Sequence, residues 1–474
     1  MRAMRKAIGL TIILGLAFLF PGTALAANET PTGWPGWHLQ AAFLGLLAPL
    51  ALILLAVGAT PPDEAGNTAA TALGALVVGL VAYAFSGFAF QFGGLALRVA
   101  WPGLAGLTTE WSPLDPGLGW GAVGLKGFFL AGAAATPDGY ALAAVQLPAV
   151  ALAVLIPALA LARRVGRLAL LAVAAVVGGL IYPLVGNWVW GGGWLALLGI
   201  NAGLGHGLVD LGGSATLHLL GAAVALAGIL IFGRGGAVEP DGEPELPPAH
   251  FPIFTLLGAL LAPIGWLGLL LANPLVTADL PAGLVAVNLV LGALGGAAPG
   301  LLYSWLATGQ ADALLAGRGL AAGLVAVSAS CGFIPPWAAL LAGLLVGTAL
   351  PLLLHWVERG LRWHDPNAIL ATHGVPGVVG TLWLALFASG RWGVGWNGVT
   401  ERFGLAQQGV AGLFVAPGYA SDIPGQLYAQ LAGLGAILTL ALVIPAALLG
   451  LIVGAQAISR RLRPRPRRAQ RAAR

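Results

Sequence analysis

The sequence predicts an all-α polytopic membrane protein with eleven transmembrane helices that follow a signal peptide. Of its 474 residues, 58% are hydrophobic and only 8% are charged, whereas about 25% of the residues of a soluble domain are charged. Eleven separate apolar stretches are long enough to cross a hydrocarbon layer of about 30 Å. Because lipid offers no partner for free backbone groups, each stretch is expected to be helical.

The composition also excludes several classes of protein. The single cysteine, Cys331, excludes an intramolecular disulfide and a multi-cysteine metal site. The net charge of +5 comes largely from a C-terminal tail, so the sequence predicts no nucleic-acid-binding face. The sequence has no recognisable metal cluster, nucleophile–base pair or glycine-rich phosphate loop, so we expect neither an enzyme nor a bound metal or cofactor.

The first 27 residues have the features of a secretory signal peptide. A basic start is followed by an apolar run, a Pro-Gly break and Ala-Leu-Ala, which predicts cleavage near Ala26. The alternative is a first membrane helix, but the run from Ala7 to Phe20 is short for a span of about 20 residues. We therefore expect a signal peptide over 1–27, a membrane domain over 28–458 and a basic tail over 459–474.

The eleven predicted spans follow the signal peptide in chain order. They cover residues 38–58, 68–92, 138–161, 166–190, 212–233, 251–273, 281–307, 313–331, 336–357, 369–389 and 426–456. Small residues recur in all of them, which allows helices to approach closely within a membrane.

The arginines predict which side of the membrane is cytoplasmic. They cluster after the last span, between the third and fourth spans (Arg163, Arg164 and Arg167) and after the ninth span (Arg359 and Arg362). With eleven spans these segments lie on one side, so we expect the C-terminus inside and the N-terminus outside, in the inner (plasma) membrane. The loop 60–68 fits poorly, since it carries Asp63 and Glu64 and no basic residue.

Two histidines stand inside otherwise apolar spans. His218 lies in the fifth span, eight residues after Asp210, and His373 lies in the tenth, 155 positions later. An ionisable group at membrane depth costs roughly 2.5–3.5 kcal/mol on insertion scales and usually faces the protein interior or a water-filled path. Since each histidine closes a group of five spans, two inverted five-helix units are a further possibility, with the site between them.

Several motifs together resemble the ammonium transporter superfamily (Amt/Mep/Rh). They are WVWGGGWL at 188–195, VDLGGSATLH at 209–218, and Asp365-Pro366 leading to His373-Gly374-Val375, in the order and spacing of that family. The resemblance covers about residues 138–455. It implies eleven helices in two inverted five-helix halves, a homotrimer with one pore per subunit in the lipid bilayer, and a possible cytoplasmic PII-type regulator.

The resemblance also implies roles for individual residues. His218 and His373 match the twin pore histidines, past which ammonia moves after ammonium has been recruited outside and has lost its proton. Asp210 and Trp190 match the recruitment site, and Trp266 matches a tryptophan of the sixth helix.

This sequence departs from the family pattern at several of these positions. Ala149 and Leu269 stand where the family has two gating phenylalanines, and Asn273 stands where many members have a serine that binds the cation. Ala368 and His364 replace acids, an Arg/Pro-rich stretch follows the last span where the family has its regulatory tail, and about eight extra residues lie near 201–207. We therefore expect a continuous or nearly continuous vestibule that reaches His218, lined by Ala149, Leu269 and Trp190, unless an aromatic residue such as Phe88 or Phe92 fills the gate.

The site residues have structural alternatives. Asp210 can cap the fifth helix, Trp190 can belong to an interfacial belt, and Asn273 can simply end the sixth helix. As recruitment residues, Trp190 would supply cation–π attraction and Asn273 a carbonyl acceptor.

The sequence thus indicates an ammonium/ammonia transporter or channel. Two alternatives stay open: an ammonium sensor with little conduction, and an Rh-like neutral gas channel.

Overall fold

The computed structural model describes residues 36–114, 119–162, 164–232, 249–273 and 280–462. These residues form eleven apolar helices at the predicted positions. They are α1 (Gly36–Ala59), α2 (Pro62–Leu97), α3 (Pro137–Leu161), α4 (Arg167–Trp190), α5 (Ser214–Phe232), α6 (Pro252–Ala272), α7 (Ala282–Thr308), α8 (Ala313–Ser328), α9 (Pro336–Gly360), α10 (Leu370–Phe387) and α11 (Gly425–Leu462).

Ten of the eleven helices are long and apolar enough to cross a membrane. The exception is α8, which has 16 residues where a span over 313–331 was expected. Residues 329–331 leave the helix after Ser328, whose hydroxyl bonds the Leu324 carbonyl within the last turn. The predicted signal peptide and most of the predicted tail lie outside the described residues. Helix α11 continues to Leu462, past the expected end of the membrane domain at residue 458.

The predicted start of the second span was about six residues late. Helix α2 begins at Pro62, which has the backbone angle of a first helical residue and needs no hydrogen-bond partner for its nitrogen. Asp63 and Glu64 therefore lie in its first turn, where negative charge stabilises the positive end of the helix dipole. These acids belong to a helix rather than to the expected loop.

Five helices contain a π-helical turn, in which the backbone is wider than in an α-helix. These turns cover Tyr83–Gly87, Val177–Ile181, Ser214–Leu219, Trp356–Gly360 and Leu370–Gly374. Single π turns are frequent at functional sites. Both histidines named from the sequence lie in such a turn, His218 at the start of α5 and His373 at the start of α10.

Helices α3, α5, α8 and α10 form the buried centre of the described part. Helix α5 packs against α3 and α11, and α8 packs against α7, α9 and α10. A Cβ atom on Gly296 or Gly323 would lie within 3 Å of backbone atoms of the facing helix, so only glycine permits the close contact of α7 with α8. The remaining elements include the helix Leu198–Ala202 and a small antiparallel pair of strands, β1 (Glu110–Trp111) and β2 (Val123–Gly124), between α2 and α3.

Candidate functional site

His218 and His373 meet at the centre of the helical bundle. Their ring centroids are 5.3 Å apart and the ring planes are inclined by 57°. Both side chains are buried. Neither ring nitrogen of His218 has a hydrogen-bond partner among the described residues, and the same is true of Nε2 of His373. The pair therefore offers three nitrogen atoms that can exchange hydrogen bonds with a small polar molecule.

Trp266 of α6 fixes the ring of His218 from one side. The two rings are stacked with centroids 5.3 Å apart and planes 5° apart. Trp266 is itself buried, and its indole nitrogen donates to Ser328 Oγ at 3.2 Å. The orientation of His218 thus depends on aromatic packing, since none of the protein groups that the structure describes bonds its nitrogens.

Thr372 fixes the proton position on His373. Its hydroxyl donates to the Ala368 carbonyl at 2.7 Å, and its oxygen lies 2.7 Å from Nδ1 of His373. Because a hydroxyl has only one proton to donate, Nδ1 of His373 must be the donor in the second bond. A neutral His373 then keeps the lone pair of Nε2 as its acceptor.

Asp210 holds the start of α5. Its Oδ2 accepts bonds from the backbone nitrogens of Ala215 and Thr216 and from the Thr216 hydroxyl, at 2.7–3.0 Å. Burial raises the pKa of Asp210, and the hydrogen bonds from Thr216 and Ala215 oppose that shift. This arrangement matches the capping alternative for Asp210.

Trp190 is joined to the same segment through the main chain. Its indole nitrogen donates to the Asp210 carbonyl at 2.9 Å, and its ring lies edge-on to Tyr182. The side chain is buried within the protein, so the interfacial-belt alternative for Trp190 is wrong.

Asp365, which the sequence analysis named in a motif without assigning it a role, is the counterpart of Asp210. Its Oδ2 accepts a bond from the backbone nitrogen of Leu370 at 2.7 Å. The acceptor and donor are five residues apart, as in the bond from Ala215 to Asp210. Each aspartate also stands eight positions before a histidine, so a repeated Asp-x7-His spacing was the available signal.

Four predicted residues line one small cavity, here called the Trp190 cavity. Trp190, Asn273, Ala149 and Leu269 all face it, and it holds about 20 Å³ of space for the centres of water-sized molecules. About 10–15 Å³ of such space is enough for one water molecule. The Asp210 side chain is not among the lining residues.

Gln146 also lines the Trp190 cavity and was missed from the sequence. Its Oε1 accepts bonds from the Tyr182 hydroxyl at 2.7 Å and from Gln91 Nε2 at 3.3 Å, so its amide is held in place by α2 and α4. A glutamine in the apolar span α3 was the signal that could have identified it.

The expected vestibule can be compared with the Trp190 cavity. Ala149, Leu269 and Trp190 line one cavity as predicted, and Phe88 and Phe92 are not among its lining residues. The cavity meets Leu217 rather than His218, whose ring is buried against Trp266. The cavity therefore ends one residue before His218, and a vestibule that reaches His218 stays a prediction.

A second cavity of about 20 Å³, here called the Arg318 cavity, touches His373. Thr372, Asn367 and Arg318 supply its other polar groups, and the rest of its lining is apolar, as at Leu55 and Leu159. Asn367 is fixed by a bond from its Nδ2 to the Leu159 carbonyl at 2.9 Å. Only the first of the two cavities was expected from the sequence.

These parts place polar groups at three points within an apolar interior. An aromatic face and two amide groups lie in one cavity, two imidazoles lie in the middle, and an arginine lies in the other cavity. An apolar interior disfavours a bare ion, whereas a small neutral molecule with N–H or O–H groups can bond to the imidazoles. The geometry fits passage of such a molecule.

The sequence matches one known family over most of its length. The profile described as "Ammonium Transporter Family" matches residues 36–460. "Ammonium transporter Amt2" of Archaeoglobus fulgidus (strain ATCC 49558 / DSM 4304 / JCM 9628 / NBRC 100126 / VC-16) is 31% identical over 362 residues, which cover 76% of this chain and 72% of that protein.

Solved structures show the same fold. A structure described as "Sensor Amt Protein" has a TM-score of 0.68 at 24% identity and covers 92% of this chain and 97% of its own. The crystal structure of Candida albicans Mep2 has a TM-score of 0.68 at 20% identity and covers 91% of this chain and 86% of its own.

Proposed function

We propose a transport route past His218 and His373, from the premise that this chain belongs to the ammonium transporter family. The match over residues 36–460 makes it a multi-pass membrane protein of a transporter family rather than an enzyme. In this proposal ammonium is recruited on one side, loses a proton, and crosses as ammonia. The observation that carries the proposal is the buried pair of imidazoles, 5.3 Å apart, with a small polar cavity touching His373 and another ending at Leu217.

Recruitment takes place in the Trp190 cavity. The indole face attracts a cation with about 0.5–2 kcal/mol, and the amide oxygen of Asn273 is an acceptor for an N–H group. Potassium and ammonium are similar in size and charge, so these contacts attract both. Proton release then discriminates between them, because only ammonium can give up a proton.

The histidines carry the second stage. Release of the proton turns ammonium into ammonia, which avoids the cost of a bare cation in the apolar path. The lone pair on Nε2 of His373 accepts an N–H of ammonia, and the free nitrogens of His218 take or give a further hydrogen bond. If the released proton stays outside, no net charge crosses. If it passes along the imidazoles, one positive charge crosses with each ammonia.

The remaining features of the proposal concern topology and assembly. All eleven helices cross the inner membrane in two inverted five-helix halves plus one, with the N-terminus and the Trp190 cavity outside. The repeated Asp-x7-His segments and their π turns support the inverted halves. A homotrimer and a PII-type cytoplasmic partner belong to the same proposal.

The test is flux through the purified protein in proteoliposomes. We expect the wild type to take up methylammonium and to give ammonium-dependent currents or pH changes. His218→Ala combined with His373→Ala should abolish selective flux but leave an assembled protein. His355→Gln, at an exposed histidine of α9, is the control. A double variant with the rate and selectivity of the wild type contradicts the twin-histidine route.

A second candidate is an ammonium sensor with little conduction. It is supported by the Trp190 cavity, which ends at Leu217 and is small enough to hold a single bound ion. Saturable ammonium binding to the wild type, measured by calorimetry, without flux in proteoliposomes would favour the sensor. Flux well above that of empty vesicles would exclude it.

A further inference from the structure

Arg318 is an unexpected charge within an apolar helix. It is the only charged residue of α8, Ala313–Ser328, and lies at the sixth position. At 1.5 Å per residue this is about 8 Å along the helix from its first residue. A buried arginine in a membrane helix is rare and usually marks a pathway or a paired site.

Protein contacts hold the guanidinium of Arg318 in place. Nη2 donates to the Pro366 carbonyl at 2.6 Å, which ties α8 to the segment before α10. The side chain is buried and interacts electrostatically with Asp365, Asp312 and Glu358. These partners lower the cost of burying the charge, so the arginine remains a fixed cation.

The neighbouring acids do not face the Arg318 cavity. Asp365 directs Oδ2 to the backbone nitrogen of Leu370, and Asp312 directs Oδ1 to the backbone nitrogens of Leu314 and Leu315. Neither is among the lining residues of the Arg318 cavity, and neither is Glu358. Arg318 is thus the one charged side chain in the lining, beside His373.

The two cavities differ in charge. The lining of the Trp190 cavity has an indole and two amides but no charged side chain. A cation is attracted by the indole and the amide oxygens of the first cavity and is repelled by the guanidinium in the second, where the acid partners of Arg318 are not among the lining residues. Neutral ammonia is affected little by that charge. Repulsion between like charges is strong in a buried, weakly polar environment, and an arginine in a pore excludes cations by this means.

We propose that Arg318 is a charge barrier that determines the specificity of the pore. It keeps K⁺, Na⁺ and ammonium from crossing between its cavity and the histidines and lets neutral ammonia pass. This rests on the proposed transport function and adds a second selectivity step to it. The step does not depend on the histidines giving up or taking a proton.

The experiment compares cation leak and ammonium flux in the same proteoliposomes. K⁺ leak is measured under a K⁺ gradient without ammonium, and ammonium flux is measured separately. R318Q should raise K⁺ leak at least about tenfold and still carry ammonium. R318K keeps a positive charge, so it should exclude K⁺ nearly as well as the wild type.

Arg164 provides the matched control. Like Arg318 it bonds a backbone carbonyl of the segment before α10, that of His364, and it interacts with Asp365 and Glu358. It is not among the lining residues of the Arg318 cavity. R164Q should therefore leave K⁺ leak at the wild-type level, although it alters the same charge cluster.

A second variant keeps the proposal testable when R318Q fails to assemble. If R318Q does not assemble, the double variant R318Q/D312N is used. It removes one negative charge together with the positive charge, and asparagine at position 312 can still cap α8. The barrier is overturned if the assembled variant excludes K⁺ like the wild type, or if R164Q leaks as much. It is also overturned if R318K leaks as much as R318Q. A wild type without ammonium flux overturns the transport function instead, while the K⁺ leak of R318Q still decides the barrier.

Discussion

The indole ring of Trp266 lies parallel to the imidazole ring of His218, with the planes 5° apart and the centroids separated by 5.3 Å. This stack explains how His218 keeps one orientation although neither of its nitrogens has a partner among the described protein groups. His373 is fixed differently, through a hydrogen bond to Thr372. The two imidazoles are therefore held by separate contacts, a ring stack and a hydrogen bond, and each contact can be removed by its own substitution.

Removal of the stack should affect both stability and transport. Trp266→Ala takes a large buried ring from beside His218, and such truncations cost about 3–5 kcal/mol. We expect a lower midpoint of thermal unfolding in detergent and reduced methylammonium flux, with a smaller loss in Trp266→Phe. The control is Trp305→Phe, at an exposed position of α7. Full flux in an assembled Trp266→Ala protein would show that the stack does not position His218.

Loss of the Thr372 hydroxyl should slow transport without unfolding the protein. Thr372→Val removes the acceptor that holds the proton on Nδ1 of His373. We expect flux to fall about two- to thirteenfold, which corresponds to the net 0.5–1.5 kcal/mol of one hydrogen bond. Thr372→Ser should restore it.

Thr381 of α10 offers a matched control for this prediction. Its hydroxyl also donates to a carbonyl one turn back, that of Gly377, at 2.8 Å, but none of the described histidines bonds it. Thr381→Val should leave flux near the wild-type value. Equal losses in the Thr372 and Thr381 variants would indicate a general effect on α10.

Asp210→Ala should weaken assembly at least as much as it weakens binding. It leaves the backbone nitrogens of Ala215 and Thr216 unpaired in a buried place, at about 1–3 kcal/mol. Expression and oligomer retention on size exclusion measure this, and Asp210→Asn should recover part of the loss because asparagine is a good cap. A fully assembled Asp210→Ala protein with only weaker methylammonium affinity would assign the carboxylate to the cation instead.

His206 should make the stability of the protein fall in mild acid. Its ring is buried, and its main-chain nitrogen donates to Gln426 Oε1. Burial, with a smaller effect of Arg402, lowers the pKa of His206 to about 4 from an ordinary 6.5. Between pH 6.5 and pH 4 the unfolded chain therefore binds a proton at His206 that the folded chain does not bind. The free energy of unfolding is highest above pH 6.5 and declines as the pH falls toward 4.

The measured quantity is the unfolding midpoint as a function of pH. The full effect of His206 is about 3 kcal/mol, from 1.36 kcal/mol for each pKa unit. His206→Gln should flatten the decline between pH 6.5 and 4, whereas His355→Gln should not. Identical pH profiles for the wild type and His206→Gln would remove His206 as the cause.

The sequence alone determined the membrane class, the positions of the helices and the pair of histidines. Apolar runs of about 20 residues have one stable form in lipid, so their number and order could be read directly. The end of the helix Ala313–Ser328 and the start of α2 at Pro62 differ from the predicted span bounds. Helix ends depend on local caps and prolines rather than on hydrophobicity. An ionisable residue in such a run is conspicuous, and His218, His373 and Arg318 all meet this criterion.

Only the tertiary structure decided what each polar residue contacts. The meeting of α5 with α10 puts two histidines from distant parts of the chain 5.3 Å apart, and the packing of α6 stacks Trp266 on one of them. The helix packing also keeps Asp210 out of the lining of the Trp190 cavity and brings Gln146 and Arg318 into two different cavities. These relationships depend on how the helices rotate and cross, and helices of uniform hydrophobicity give no one-sided pattern from which that rotation can be read.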